Sequence, residues 1–132
     1  MATTYTNTTG AAGYQGLHKV YTWTYTHDFS KVSCLGADTI QVLLPANVMV
    51  LAGAYQVVTA GTTVNVAIGV TGNTDYVAAT AALGTAGTMI TASDIATPQI
   101  LAGATNYLIF DPDTTTAASG VIKVTLALAD FN

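Results

Sequence analysis

Apolar residues alternate with polar or small ones along the middle of the chain. No residue between Asp38 and Asp75 is charged. Within that segment apolar side chains recur at every second position: Ile40, Val42 and Leu44, then Val64, Val66, Ile68 and Val70. A period of two places one row of side chains on one face of a pleated strand. The segment is therefore typical of half-buried β-structure.

Turn residues divide this segment into three parts. Pro45-Ala46-Asn47 interrupts the first apolar run, and Ala60-Gly61-Thr62 interrupts the second. Residues of these types favour turns, so we expect three consecutive antiparallel strands. The strands are predicted over about 39–44, 48–59 and 63–70. A glycine inside the second strand, Gly53, predicts a bulge or bend there.

Five further strands are predicted outside this segment. Residues 20–29 and 121–128 alternate most regularly, and 107–110 is a short apolar run. Weaker strands are expected around 87–91 and 97–101. The polar residues from Asp111 to Gly120 are expected to form a long hairpin loop between the last two strands.

One short helix is predicted near residues 75–83. Asn73 or Thr74 can cap its start, Asp75 suits the first turn, and Gly84 can end it. The intervening residues are rich in alanine, which has the highest helix propensity.

About eight strands with turn signals every 8–12 residues predict an all-β antiparallel β-sandwich, either jelly-roll or immunoglobulin-like. The sequence leaves the strand order open. Residues 1–19 are rich in Thr, Gly and Asn and keep no period, so they are interpreted as an extended N-terminal arm. Residues 20–132 are expected to form a single β-sandwich domain, which suits the length of the chain.

A membrane helix over residues 40–60 is the competing interpretation of the uncharged segment. A spanning helix needs about 20 predominantly apolar residues with good helix formers. Pro45, Asn47, Gly53 and Gln56 all fall inside the segment, and valine is abundant. We therefore expect no membrane association.

The amino-acid composition excludes some classes of function. The 132 residues include three Lys, seven Asp, no Arg and no Glu, which gives a net charge of −4. Binding to nucleic acid needs a basic surface that neutralises phosphates, so this partner is not expected. Small soluble monomers usually carry far more surface charge. A neutral Thr/Ala/Val exterior therefore favours burial of part of the surface against other subunits, although hydration by Thr and Asn side chains is the alternative.

An aromatic row is predicted on the strand at 20–29, where Tyr21, Trp23, Tyr25 and His27 share one face. Such a row can stack on sugar rings or bases, or it can cover one side of the core. The core is favoured because only His27 and Asp28 could supply polar contacts to a ligand. Tyr21, Trp23 and Tyr25, together with the arm residues Tyr5, Tyr14 and Leu17, remain the candidate interaction residues.

No catalytic, cofactor or metal site is predicted, and we do not expect an enzyme. Cys34 and His27 form the only conceivable nucleophile and base, and a buried structural thiol is the simpler interpretation of Cys34. Asp111 and Asp113 could offer oxygens to Ca²⁺, which requires six to eight, so a turn is favoured.

Two features of the sequence indicate the cellular compartment in which the protein is made. A single cysteine excludes an intrachain disulfide. The start, Met1 to Tyr5, has neither a basic nor an apolar region, so no Sec signal peptide is expected. The protein is expected to be made in a cytoplasm and to leave it, if at all, by a route such as lysis.

The run from Ile40 to Leu51, with Pro45-Ala46 at its turn, resembles a pattern of small virion proteins of tailed bacteriophages. Gln56-Val57-Val58-Thr59-Ala60, residues 64–69, residues 74–77 and the closing strand at 120–124 are similar too. The resemblance spans about residues 39–131 and leaves out the arm.

This resemblance implies a capsid decoration or cement protein. Its partner would be the major capsid protein lattice, and its place the capsid exterior after synthesis in the host cytoplasm. The resemblance also implies a homo-oligomer, with a trimer favoured. The alternative is a head-fibre or tail protein that binds the host surface or a glycan through Tyr21, Trp23 and Tyr25.

Overall fold

A computed structural model describes residues 19–36, 38–91 and 98–130, and these contain nine β-strands. The strands are β1 (Val20–Asp28), β2 (Ile40–Leu43), β3 (Val48–Thr59), β4 (Asn65–Val70), β5 (Asn73–Ala82), β6 (Ile90–Thr91), β7 (Gln99–Leu101), β8 (Tyr107–Pro112) and β9 (Val121–Asp130). The eight strands expected from the alternating pattern are confirmed, with small differences at their ends.

The strands form two antiparallel sheets. In sheet 1 the order is β1-β9-β3, and both β6 and β7 pair with the far edge of β3. In sheet 2 the order is β2-β8-β4-β5. The described residues are therefore all-β with a sandwich-like arrangement, as expected. The expectation that the three middle strands lie consecutively in one antiparallel sheet is wrong, because β3 is in sheet 1 whereas β2 and β4 are in sheet 2. The choice between a jelly-roll and an immunoglobulin-like topology stays a prediction.

The core lies between the two sheets and consists mainly of the alternating apolar residues. In β9 every second side chain is fully buried: Ile122, Val124, Leu126 and Leu128. Val66, Ile68, Leu108 and Phe110 of sheet 2 are also fully buried. Burial of such side chains is the main favourable term in folding, at about 1.5–3 kcal/mol each. The period of two read from the sequence therefore identifies the core face correctly.

The helix predicted near 75–83 is wrong, because β5 occupies that stretch as an antiparallel partner of β4. A two-residue turn at Thr71-Gly72 joins the strands, and Gly72 has a φ of 88°. Pairing with β4 buries Tyr76, Val77 and Ala78, which a lone two-turn helix would not achieve. Among the described residues no helix is long and apolar enough to cross a membrane.

The bulge or bend predicted at Gly53 is found as a bulge two residues earlier, and Gly53 itself pairs regularly with Leu126. The register between β3 and β9 shifts instead between Val50 and Ala52, and again between Val57 and Thr59. Leu51 and Val58 are therefore the extra residues. Both are exposed, which is the usual consequence of an unpaired position in a bulge.

The polar loop after β8 is not a hairpin loop, because β8 lies in sheet 2 and β9 in sheet 1. The loop crosses one end of the sandwich and is held there by main-chain contacts. Cys34 and Ala117 exchange two hydrogen bonds, at 3.0 and 2.8 Å between N and O. The Thr62 hydroxyl accepts from the N–H groups of Ala118 and Ser119. This end of the sandwich is consequently closed.

Candidate interaction surfaces

The aromatic row predicted on β1 faces the space between the sheets. Tyr21, Trp23 and Tyr25 are half-buried and pack against the core, and His27 is buried. The rings of Trp23 and Tyr25 stack with centroids 6.3 Å apart and planes 13° apart. The ring of Tyr25 also lies 6.2 Å from that of Phe110 in sheet 2. The row therefore closes one side of the core.

Both ring nitrogens of His27 have hydrogen-bond partners. Its Nε2 lies 2.9 Å from the carbonyl oxygen of Val32, which can only accept, so Nε2 carries the proton. In the neutral ring Nδ1 then accepts from the Tyr25 hydroxyl, 3.1 Å away. His27 also contacts Phe29 edge to face, with ring centroids 4.5 Å apart. A histidine satisfied in this way is a structural group and has no free nitrogen to act as a base.

β1 and β2 flank the half-buried part of the core. These are edge strands of opposite sheets, and the half-buried Ile40 and Val42 of β2 pack against the core from the other side. Tyr21 is near the end of the row, where burial, and secondarily the charge of Asp130, raises the pKa of its hydroxyl. The partly buried side chains that pack against the core here are aromatic or aliphatic.

The structure places three of the six candidate interaction residues. Tyr21, Trp23 and Tyr25 lie together in the aromatic row, whereas Tyr5, Tyr14 and Leu17 lie outside the described residues. The arm predicted over 1–19 is described only at Lys19, whose carbonyl accepts from the N–H of Asp130 at 2.9 Å. A role for the six residues in binding stays a prediction.

The outer face of sheet 1 brings the neutral exterior residues of several strands together into one surface. Threonines 22, 24 and 26 of β1 project from it, beside the alternate residues of β9 and β3. The Thr24 and Thr125 hydroxyls are 3.3 Å apart across the strand pair. Lys123 and Asp28 bring charge to only one end of this face. Most of the face consists of threonine and alanine.

An apolar row crosses the opposite end of the same face. The strand registers align Val20 with Ala129, Ala129 with Met49, and Met49 with Ile100. Residues directly opposite each other in an antiparallel pair project to the same side of the sheet. Val20 and Ile100, at the two ends of the row, are 62% and 59% exposed. These side chains expose apolar surface that contact with another molecule could cover.

The two aspartates considered for Ca²⁺ lie on the outer face of sheet 2. Asp111 and Asp113 line a groove of about 330 Å³ together with Asn65 and Thr80. The main-chain N–H of Asp113 donates to the carbonyl of Asn65 at 2.9 Å, which continues the ladder between β8 and β4. Within the described part of the chain no group of three or more His, Cys, Asp or Glu side chains could hold a metal ion.

Cys34 lies in the closed end of the sandwich and is only 2% exposed. Its Sγ–H donates to the carbonyl of Leu35 at 3.6 Å. Burial raises the pKa of the Cys34 thiol, and the charges of Asp38 and Asp111 add to the effect. The thiol is therefore protonated near neutral pH, and it does not have the electropositive, accessible surroundings of a nucleophile.

We expect Cys34 to react with a thiol-specific reagent at least about tenfold more slowly in the native protein than in the unfolded chain, because only the exposed thiolate reacts. The measurement compares the rate of labelling at neutral pH with and without denaturant. Equal rates in the two states would show that the thiol is accessible and would reopen the question of a reactive cysteine.

Comparison with known proteins adds one finding to this geometry. No protein-family model matches the sequence. No curated protein matches it either. Among solved structures, a chain of the cyanophage Pam1 capsid asymmetric unit is similar, with a TM-score of 0.61. The match covers 86% of this chain and 86% of that chain at 15% sequence identity. The likeness concerns the fold, which the two chains share over most of their lengths.

Proposed function

We propose that this chain is a structural protein of a bacteriophage particle that decorates the capsid exterior and stabilises the junctions between capsid subunits. The observation that carries the proposal is the fold shared with a chain of a phage capsid asymmetric unit over most of both chains. The resemblance of residues 39–131 to small virion proteins of tailed phages points in the same direction. The proposed partner is the major capsid protein lattice.

The surface of sheet 1 suits this role physically. A face of threonine and alanine can be covered by another protein without removing many charges from water, which is costly unless each charge is paired. The apolar row from Val20 to Ile100 adds a favourable burial term. A specific contact of this kind buries about 1,200–2,000 Å² in total. On a capsid the same contact is repeated by symmetry, so that modest individual contacts add up over the particle.

A catalytic role is not part of the proposal. The nitrogens of His27 are engaged, the Cys34 thiol is buried, and Asp111 and Asp113 lie in an open groove without a histidine. Cement function needs none of these groups to react. It needs a rigid domain with a surface complementary to its neighbours.

The alternative, a head-fibre or tail protein that binds the host surface or a glycan, requires the aromatic row of β1 to be accessible. The row is half-buried, faces the core and stacks within itself. No feature of the described residues favours the alternative over the capsid role. Normal particle stability combined with an adsorption defect in a Trp23→Ala particle would favour it.

Binding to particles that lack this protein tests the proposal. We expect the purified chain to co-sediment with such particles at saturable stoichiometry and to delay their disruption by heat. Ile100→Asp is expected to weaken binding by about 10- to 100-fold, because a carboxylate in the buried apolar row loses its hydration without gaining a partner.

Leu43→Asp is the matched control. Leu43 is 58% exposed on the outer face of sheet 2, whereas Ile100 is 59% exposed on sheet 1. Both variants add one negative charge at a strand position, so only the face differs. Equal loss of binding in both would contradict the assignment to sheet 1. Failure of the unmodified protein to bind any particle surface would contradict the capsid role itself.

A further inference from the structure

The outer edge of β1 has no partner among the described residues. β1 is the terminal strand of sheet 1 and pairs only with β9. The pairing runs through nine consecutive residue pairs, from Val20↔Ala129 to Asp28↔Val121, without a register shift. The opposite side of β1 therefore presents a straight and regular row of main-chain groups.

The direction of each main-chain group follows from the contacts at the two ends of β1. The carbonyl of Lys19 accepts from Asp130, and the N–H of Phe29 donates to Gly120, so both point towards the β9 side. Antiparallel pairing alternates along a strand, so the odd-numbered residues point to β9 and the even-numbered residues point away. Val20 and threonines 22, 24 and 26 thus direct their N–H and C=O groups outwards.

The other sheet edges in the described parts of the chain are protected by the means that natural proteins use. β2 has four residues, and β6 and β7 have two and three. β5 is longer, but its pairing with β4 contains two register shifts, and Asp75 lies on it. β1 has no proline, no bulge and no charge between Val20 and His27. An unprotected edge of this kind is a template for an added strand.

The sequence of β1 indicates which strand it accepts. Tyr21-Thr22-Trp23-Thr24-Tyr25 reads the same in both directions. An antiparallel copy centred on Trp23 therefore aligns threonine with threonine on one face and tyrosine with tyrosine on the other. The chain carries a net charge of −4, but this stretch is neutral, so no like charges meet at the centre.

We propose that β1 pairs with β1 of a second copy of this chain about a two-fold axis at Trp23. Thr22 then lies opposite Thr24 of the second copy, and Val20 opposite Thr26. About eight main-chain hydrogen bonds join the strands, because each opposed pair with outward groups exchanges two. Sheet 1 becomes one continuous sheet running through both subunits.

The pairing also covers the exposed parts of the aromatic row. The two Trp23 residues lie directly opposite each other as a pair that exchanges no main-chain hydrogen bonds, which brings their side chains close together. Each Tyr21 lies opposite Tyr25 of the other copy. Cross-strand aromatic pairs of this type are favourable. The arrangement is a dimer rather than the trimer implied by the resemblance to phage virion proteins. It concerns the free protein and does not depend on attachment to a capsid.

The molecular mass in solution tests the proposal, measured for the unmodified full chain and for two matched variants. Thr22 and Thr24 are both exposed on the outer face, so substitutions there leave the core unchanged. Thr22→Lys with Thr24→Lys places two pairs of like charges across the axis. Thr22→Lys with Thr24→Asp places a lysine opposite an aspartate twice. Analytical ultracentrifugation from micromolar to millimolar concentration measures the mass of each.

The expected results differ between the variants. The unmodified chain is expected to change from monomer to dimer as its concentration rises. The double-lysine variant is expected to stay monomeric up to a concentration at least tenfold higher than the unmodified chain. The lysine–aspartate variant is expected to form the dimer. Circular dichroism and thermal unfolding confirm that each variant folds. A monomer or trimer of the unmodified chain at every concentration, or equal dimerisation of the double-lysine variant, would overturn the proposal.

Fluorescence gives a second measurement, because Trp23 is the single tryptophan of the chain. Association is expected to shift its emission to shorter wavelength with the same concentration dependence as the mass. Dimerisation without any change in Trp23 emission would place the interface elsewhere and would also overturn the assignment.

Discussion

Phe110→Ala is expected to lower the free energy of unfolding by about 3–5 kcal/mol, as large core truncations do. Phe110 is fully buried in the middle of sheet 2. Its ring lies 5.6 Å from that of His27 and 6.1 Å from that of Phe29, both in or next to β1. Removing the ring leaves a cavity between the sheets and takes away the main contact that holds β1 against sheet 2.

Chemical denaturation followed by circular dichroism measures this change. Phe110→Leu is the matched control, and it is expected to cost only about 1–2 kcal/mol because most of the volume remains. Because the Tyr25 ring also contacts Phe110, Trp23 and Tyr25 should become more exposed in the alanine variant. A loss below about 1 kcal/mol for Phe110→Ala would mean that the core is not organised around this ring.

Gly120→Ala is expected to destabilise the fold by about 2–4 kcal/mol, since backbone strain and a steric clash act together. Gly120 has a φ of 111°, where L side chains are rarely found. A Cβ added there would lie 2.6 Å from the Cδ1 atom of the buried Leu83. The Gly120 carbonyl also accepts from the N–H of Phe29, so a shift of this turn disturbs the end of β1.

Two other glycines separate the contributions to this effect. Gly72 has a φ of 88° and open space around it, so Gly72→Ala measures strain alone, at about 1 kcal/mol. Gly87 has open space and no positive φ, and its replacement is expected to be neutral within about 0.5 kcal/mol. Thermal or denaturant unfolding of the three variants gives the comparison. If Gly120→Ala cost no more than Gly72→Ala, the clash with Leu83 would be absent.

The alternating strands could be predicted from the sequence because their signal is local. β1 and β9 alternate over nine residues, and one face of each packs into the core. The period of two then reports burial directly. Even the short β6 and β7 were expected, since each contains a small apolar piece between polar residues.

β5 was predicted as a helix because its own residues favour one, although it pairs with the preceding strand β4. Alanines, a capping residue and Gly84 all suit a short helix. Pairing with β4 overrides these propensities by burying Tyr76, Val77 and Ala81. The two-residue connection at Thr71-Gly72 between β4 and the following residues was the available signal for a hairpin.

The candidate surfaces were only partly predictable. The aromatic row belongs to one strand and appears in the sequence as four residues at alternate positions. The apolar row from Val20 to Ile100 joins four strands, and its formation depends on the registers of β1, β9, β3 and β7. Sequence alone does not fix those registers, since they follow from the packing of both sheets.

The position of β9 has a consequence for how the chain reaches this state. β9 is the last of the nine strands to leave the ribosome, yet it lies between β1 and β3 in sheet 1. A nascent chain that lacks these ten residues leaves β1 and β3 without their shared neighbour and exposes the core side chains that β9 covers. Folding of these two sheets can therefore finish only after β9 has been synthesised, and chains truncated before β9 are expected to aggregate.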